Sequence, residues 1–202
     1  MTTIPDKAGV SRLISLAEKA RGKIKAIYLH WTAGHYGQFF DDYHICIDRD
    51  GSVRLTGDDF LERKSHTWGR NGKSIGIALC CGYGAVLPGT AVEPGRRGEP
   101  LPDGAIPFGP EPPTWMQIER LAVVTALLCH HLFLPVSALT VMTHGEAALL
   151  DGYGPGDGDP DLRWDLWYLP DRPARLGLHP GGEVVRGKAR WYLDAYQRNG
   201  SW

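Results

Sequence analysis

Apolar and polar positions fall into blocks along the chain, and each block predicts an element. Lys25 to His30 (KAIYLH) is an apolar run that reads as a strand leading into a Thr32-Ala33-Gly34 loop. Tyr43 to Asp48 and Val53 to Thr56 read as two strands, with Arg49-Asp50-Gly51 as the hairpin turn between them. Ser74 to Cys81 (SIGIALCC) is apolar throughout, the mark of a buried strand. Ser11 to Arg21 places Leu13, Ile14 and Leu16 on one side behind a candidate Ser11 N-cap and predicts a short amphipathic helix. The clearest helix opens at Thr114, where Gln117 completes a capping box, and runs to about Leu132. Its apolar face carries Ile118, Leu121, Val124, Leu128 and Leu132, a stripe for packing on a sheet. Ala138 to Thr143 reads as a strand ending at His144, Gly145 to Pro160 as irregular chain, and Val184 to Gln197 as a C-terminal helix. Strands alternating loosely with helices predict an α/β fold with a mixed sheet.

Length and composition narrow the class. A chain of 202 residues and 22.3 kDa predicts a single domain, 1–202. That length buries roughly 70% of the unfolded surface, so no disulfide or metal staple is needed for folding. Lys plus Arg is 22 against 23 for Asp plus Glu, which lacks the basic excess of a nucleic-acid binder. No apolar run reaches the roughly 18 residues of a membrane-spanning helix, so no membrane partner is expected. Met1 to Val10 is polar and predicts no secretory signal, hence a protein made in the cytoplasm. Cys46, Cys80, Cys81 and Cys129 lack Cys-x-x-Cys spacing and read as free, mostly buried thiols. The Gly and Pro residues cluster between 82 and 113 and between 151 and 182, where long loops are expected.

Several short motifs lack the context their chemistry needs. Gly72-Lys73-Ser74-Ile75-Gly76 matches a nucleophile elbow, but a polar loop precedes the serine and a strand follows it, the reverse of the required order. The same Gly72-Lys73-Ser74 resembles the end of a phosphate loop, but Thr67 stands where its first glycine belongs. Asp157, Asp159 and Asp161 alternate as in a calcium loop, but Leu162 replaces the glycine and Tyr168 the bidentate glutamate. His144-Gly145-Glu146 has the H-x-E of zinc deaminases without the Pro-Cys-x-x-Cys that must follow.

Histidines at strand ends carry more. His30 and His144 each end a predicted strand, and Asp159 follows in a Gly-rich loop. Two imidazoles and a carboxylate with a fourth position open form a catalytic zinc pattern. Five blocks then fall in one order: His30-Trp31-Thr32-Ala33-Gly34; Tyr43 to Gly51; His66 to Asn71 running into Ser74 to Ile77; Thr143-His144 after the long helix; and Asp159-Pro160 with Trp164-Asp165. In this order, over roughly residues 24 to 170, the chain resembles the zinc-dependent N-acetylmuramoyl-L-alanine amidases of the peptidoglycan-recognition and phage-lysozyme type, the type 2 amidase superfamily.

The resemblance implies a mixed central sheet flanked by helices, a zinc ion in a surface groove, and hydrolysis of the amide between N-acetylmuramic acid and L-alanine in peptidoglycan. It implies His30, His144 and Asp159 as zinc ligands, with Asp165 and Asp157 as alternatives to Asp159. Relatives that use a glutamate in the Ser-Ile-Gly-Ile strand have Ala78 here, which leaves Tyr43 as the implied catalytic group; His35 is another candidate donor. Relatives often place a basic residue two before the third ligand, and with Asp159 that position is Asp157, a departure. His66 and Asn71 match positions near the groove, where they contact substrate or order the loop. Trp31 and Trp68 either stack on sugars or pack in the core. His44, His130 and His131 read as structural.

Two functional classes compete: an active amidase, and a peptidoglycan-binding module on the same fold that lacks the third ligand. An amidase made without a signal fits a phage or prophage lysin, a wall-recycling enzyme acting in the cytoplasm, or an injected effector. The stretch Arg172 to Trp202 lies outside the resemblance and reads as a helical cover for the core.

Overall fold

A computed structural model describes residues 7–85, 92–93, 96–97, 108–152, 165–172 and 175–200. In chain order the elements are α1 (Lys7–Ala20), β1 (Ala26–Trp31), β2 (Ile45–Ile47), β3 (Val53–Leu55), β4 (Ser74–Leu79), β5 (Val92–Glu93), β6 (Arg96–Arg97), α2 (Trp115–Leu132), β7 (Val141–Thr143), α3 (His144–Asp151), β8 (Tyr168–Arg172), β9 (Arg175–Pro180) and α4 (Gly181–Asn199). The main sheet has the order β3-β2-β4-β1-β7. β1 pairs in parallel with β4 and β7, β2 pairs in parallel with β4, and only β3 runs antiparallel, against β2. The expected mixed α/β sheet flanked by helices is therefore present.

Every residue of β1 and β4 is buried, because the two central strands are covered on both faces. Alternation sorts their side chains. Ile27, Leu29 and Trp31 of β1 join Ile75, Ile77 and Leu79 of β4 in the large core, against Ile118, Leu121 and Val124 of α2. Ala26 and Tyr28 turn to the other face, where they meet Met142 of β7 and Ala147 of α3. His30 shares that second face. So do Ser74, Gly76 and Ala78 of β4, whose small side chains leave room above the sheet. A Cβ on Gly76 would come within 2.5 Å of the His66 ring, so only glycine admits that ring here.

The Thr114–Gln117 capping box is formed in both directions, and Gln117 also donates to the carbonyls of Ile47 and Cys80, pinning α2 to the sheet. The turn before β3 closes with Asp48 and Ser52 paired and Gly51 at φ +80°. All four cysteines are free and buried. Among the described residues no helix is long and apolar enough to cross a membrane.

Three expectations need correction. The strand before His144 is only Val141–Thr143, because Ser137 to Thr140 forms a hydrogen-bonded turn. The chain after it is helical for eight residues rather than irregular, since Thr143 and Glu146 form a second capping box. The C-terminal stretch is not wholly helical: the β8–β9 hairpin leads into α4, which begins at Gly181. Most of the Gly- and Pro-rich stretch from 86 to 107 lies outside the described residues.

Candidate metal centre

The site lies at the carboxyl ends of β1 and β7, where parallel sheets commonly bind ligands. His30, next to last in β1, is fully buried. His144 is the first residue of α3, and the cap that starts the helix sets its direction: Glu146 accepts from Thr143 N at 2.9 Å, and Thr143 Oγ1 accepts from Glu146 N at 3.1 Å. Arg186 of α4 holds Glu146 in turn, donating to both carboxylate oxygens at 2.8 Å and to the Val141 carbonyl at 2.9 Å.

Asp165 enters between the two histidines. Its Oδ2 lies 2.9 Å from His30 Nδ1 and its Oδ1 lies 2.8 Å from His144 Nδ1. The imidazole rings are 4.8 Å apart, and one ligand atom from each of the three residues falls within 4.8 Å of the others. Burial by itself pushes the Asp165 carboxyl up, but the facing His144 and His30 outweigh it and hold the group well below the usual carboxylate range. Burial pushes His30 down, against the neighbouring Asp165 carboxylate, which raises it.

This donor set fits a divalent cation. Asp165 is 4% exposed, and its Oδ1 has no hydrogen-bond partner among the described residues despite the short approach of His144 Nδ1. An unsatisfied buried carboxylate oxygen beside two imidazoles is the kind of group a bound cation satisfies. Two histidines and one carboxylate leave a fourth tetrahedral position free. Asp159 and Asp157 lie outside the described residues. Among the described residues, Asp165, one of the alternatives to Asp159, is the carboxylate that sits with His30 and His144.

Tyr43 borders the cluster. Its ring is 5.1 Å from that of His30, and its hydroxyl points to the Trp31 carbonyl at 3.4 Å. Burial, reinforced by the Asp165 charge, raises its pKa, so the phenol stays protonated and available as a donor. Ala78 sits directly across from His30 in the β1–β4 register, so no acid stands at that position.

His66 and Asn71 organise one loop over the sheet. Asn71 Oδ1 accepts from Thr67 N at 2.6 Å, and His66 is buried with Thr67 Oγ1 2.9 Å from its Nδ1. Burial first, then the neighbouring histidines, drives the His66 pKa down to about 2. Thr67, which no sequence pattern marks, reaches His30 Nε2 at 3.3 Å. Arg70 clamps the same loop to the end of α3 through a bidentate pair with Asp151, both contacts at 2.6 Å. Of the two tryptophans, Trp31 is buried in the core while Trp68, beside Thr67, is 67% exposed. His44 is structural: its Nε2 donates to the Glu62 carbonyl and its Nδ1 accepts from Gly76 N. His35 pairs with Glu111 at 2.8 Å and stacks on Tyr83.

The family described as N-acetylmuramoyl-L-alanine amidase matches residues 20–160 of the chain. No curated protein matches it.

Proposed function

The chain belongs to the N-acetylmuramoyl-L-alanine amidase family, and from that premise we propose that it is a zinc-dependent hydrolase of the amide between N-acetylmuramic acid and L-alanine in peptidoglycan. The observation that carries the reading is the convergence of His30, His144 and Asp165 on one position. A third ligand beside the two histidines favours catalysis over binding alone.

His30 Nδ1, His144 Nδ1 and an Asp165 oxygen hold the ion in this reading. Asp165 as third ligand also resolves a departure from the family pattern. The basic residue that relatives carry two positions before that ligand is then Arg163, whereas with Asp159 the position falls on Asp157. Zinc supplies Lewis acidity, polarising the scissile carbonyl and making water acidic enough to act as a nucleophile near neutral pH. Asp165 partly neutralises the ion, and the burial of His30 keeps its face of the site dry. The Tyr43 phenol, at the edge of the cluster and protonated, donates a hydrogen bond to the carbonyl oxygen as it gains negative charge. With Ala78 opposite His30, no carboxylate competes for that role at this position.

Purified peptidoglycan fragments incubated with the protein and examined by mass spectrometry test the reading. Free stem peptides beginning at L-alanine are expected. Fragments left intact by zinc-loaded protein contradict it.

A further inference from the structure

His30 has two ring nitrogens, and only one faces the metal position. Nδ1 faces Asp165, while Nε2 meets Thr67 Oγ1 at 3.3 Å. From Thr67 a line of polar contacts leads away from the site. Thr67 Oγ1 lies 2.9 Å from His66 Nδ1, His66 Nε2 lies 3.5 Å from Ser74 Oγ, and Ser74 Oγ lies 2.7 Å from the Arg70 carbonyl oxygen. His66, Thr67 and Ser74 are all buried, so each relies on the partners these contacts supply.

The last contact sets the direction of the rest. A carbonyl oxygen only accepts, so the Ser74 hydroxyl donates to Arg70 and presents a lone pair to His66. His66 meets that lone pair with a proton on Nε2, and its Nδ1 is then bare. Thr67 gives its hydroxyl proton to that bare Nδ1 and presents a lone pair to His30. His30 meets it with a proton on Nε2, which leaves Nδ1 bare as well. The opposite direction makes His66 Nε2 and Ser74 Oγ two lone pairs facing each other in a buried place. In the direction that satisfies every link, His30 Nδ1 and Asp165 Oδ2 are two acceptors 2.9 Å apart, an arrangement that a cation between them makes favourable.

We infer that Thr67, His66 and Ser74 form a relay of fixed polarity that holds His30 in its Nε2-protonated tautomer, with the Nδ1 lone pair directed at the metal. The three are positioning residues, and the Arg70 carbonyl anchors the relay. This rests on the zinc reading above and gives His66 a place in that chemistry without contact to substrate. Removing a hydrogen-bond partner of a metal-bound histidine typically changes metal affinity by about 10- to 100-fold. Gly76 belongs to the same device, since its missing side chain is what lets His66 lie between Thr67 and Ser74.

Zinc affinity by competition with a chelating dye, and imidazole 15N–1H spectra of the zinc-loaded protein, test the relay without an activity assay. The wild type is expected to show His66 protonated on Nε2. Thr67→Val, which keeps the shape and removes the oxygen, is expected to bind zinc about 10- to 100-fold more weakly, and Thr67→Ser to restore the affinity. Ser74→Ala leaves Thr67 and His30 in place and serves if the valine variant does not fold. It is expected to weaken zinc binding and to leave His66 in a mixture of tautomers. His66 protonated on Nδ1, or valine and alanine variants that bind zinc as tightly as wild type, would overturn the relay while leaving the amidase reading intact. A wild-type protein that neither binds zinc nor releases stem peptides overturns both.

Discussion

Arg186 grips Glu146 through both carboxylate oxygens, each contact 2.8 Å long. The pair joins α4, beyond the residues matched by the family, to the capping turn whose first helical residue is His144. Removing one partner of a buried ion pair costs about 3 to 5 kcal/mol. The Glu146 side chain is a quarter exposed and regains water, so Arg186→Ala is expected to cost about 2 kcal/mol of folding free energy. It should also weaken zinc binding by loosening His144. Urea denaturation and a zinc titration on the same variant check both effects. Unchanged zinc affinity would confine α4 to covering the core.

Tyr43 is expected to act on the reaction and not on the ion. Tyr43→Phe removes the hydroxyl and keeps the ring beside His30. Zinc content should be unchanged and turnover should fall on the order of 100-fold, read with a defined muropeptide at saturating substrate. A phenylalanine variant with the wild-type rate would make Tyr43 a packing residue.

Trp68 holds a large apolar ring in solvent one residue from Thr67, on a loop clamped by Arg70 and Asp151. A ring so presented suits stacking on a pyranose face. Aromatic contacts of this size contribute roughly 0.5 to 1.5 kcal/mol, so Trp68→Ala should raise KM about 3- to 10-fold on glycan-bearing substrate. Turnover and zinc binding should be unaltered. Equal KM values would remove the residue from substrate recognition.

His44 makes a pH prediction for the zinc-free protein. Burial lowers its pKa, and its Nδ1 lone pair accepts the Gly76 amide, a bond that protonation would break. The folded pKa lies below the unfolded value of about 6.5, so the unfolded chain takes up the proton first. The stability associated with neutral His44 is therefore fully present above about pH 6.5 and is lost as pH falls toward the folded pKa, by up to about 1.4 kcal/mol per pH unit. Urea midpoints from pH 7.5 to 5 in chelator should fall with at least that slope, since burial lowers the pKa of His30 and His66 as well, and His44→Gln should flatten the curve by one proton. Parallel curves for the two proteins would contradict the assignment.

The sheet was legible in the sequence because its strands are short apolar runs bounded by turn residues, and Thr114 with Gln117 marks α2 unambiguously. Thr143 and Glu146 carry the same capping signal. Gly145 sits inside that first turn and Gly152 ends the helix after eight residues, too few for periodicity to register. His30 and His144 stood out because each closes a strand-like run. The carboxylate beside them did not, since Asp157, Asp159 and Asp165 crowd one Gly-rich stretch and spacing alone does not choose among them. Thr67 and Arg186 carry no local pattern at all. Their roles exist only once β1, β4, α3 and α4 are packed together.

In the proposed reaction, His30, His144 and Asp165 hold the ion on which hydrolysis depends. The most direct test is to strip the protein with a chelator, return zinc in steps, and follow bound metal and stem-peptide release together, in wild type, Asp165→Asn and Asp159→Asn. Activity should return in proportion to one zinc per chain in wild type and in the Asp159 variant, and Asp165→Asn should recover neither metal nor activity. A stripped protein that still cleaves at the full rate, or an Asp165→Asn variant that regains zinc and activity like wild type, would overturn this assignment of the metal site.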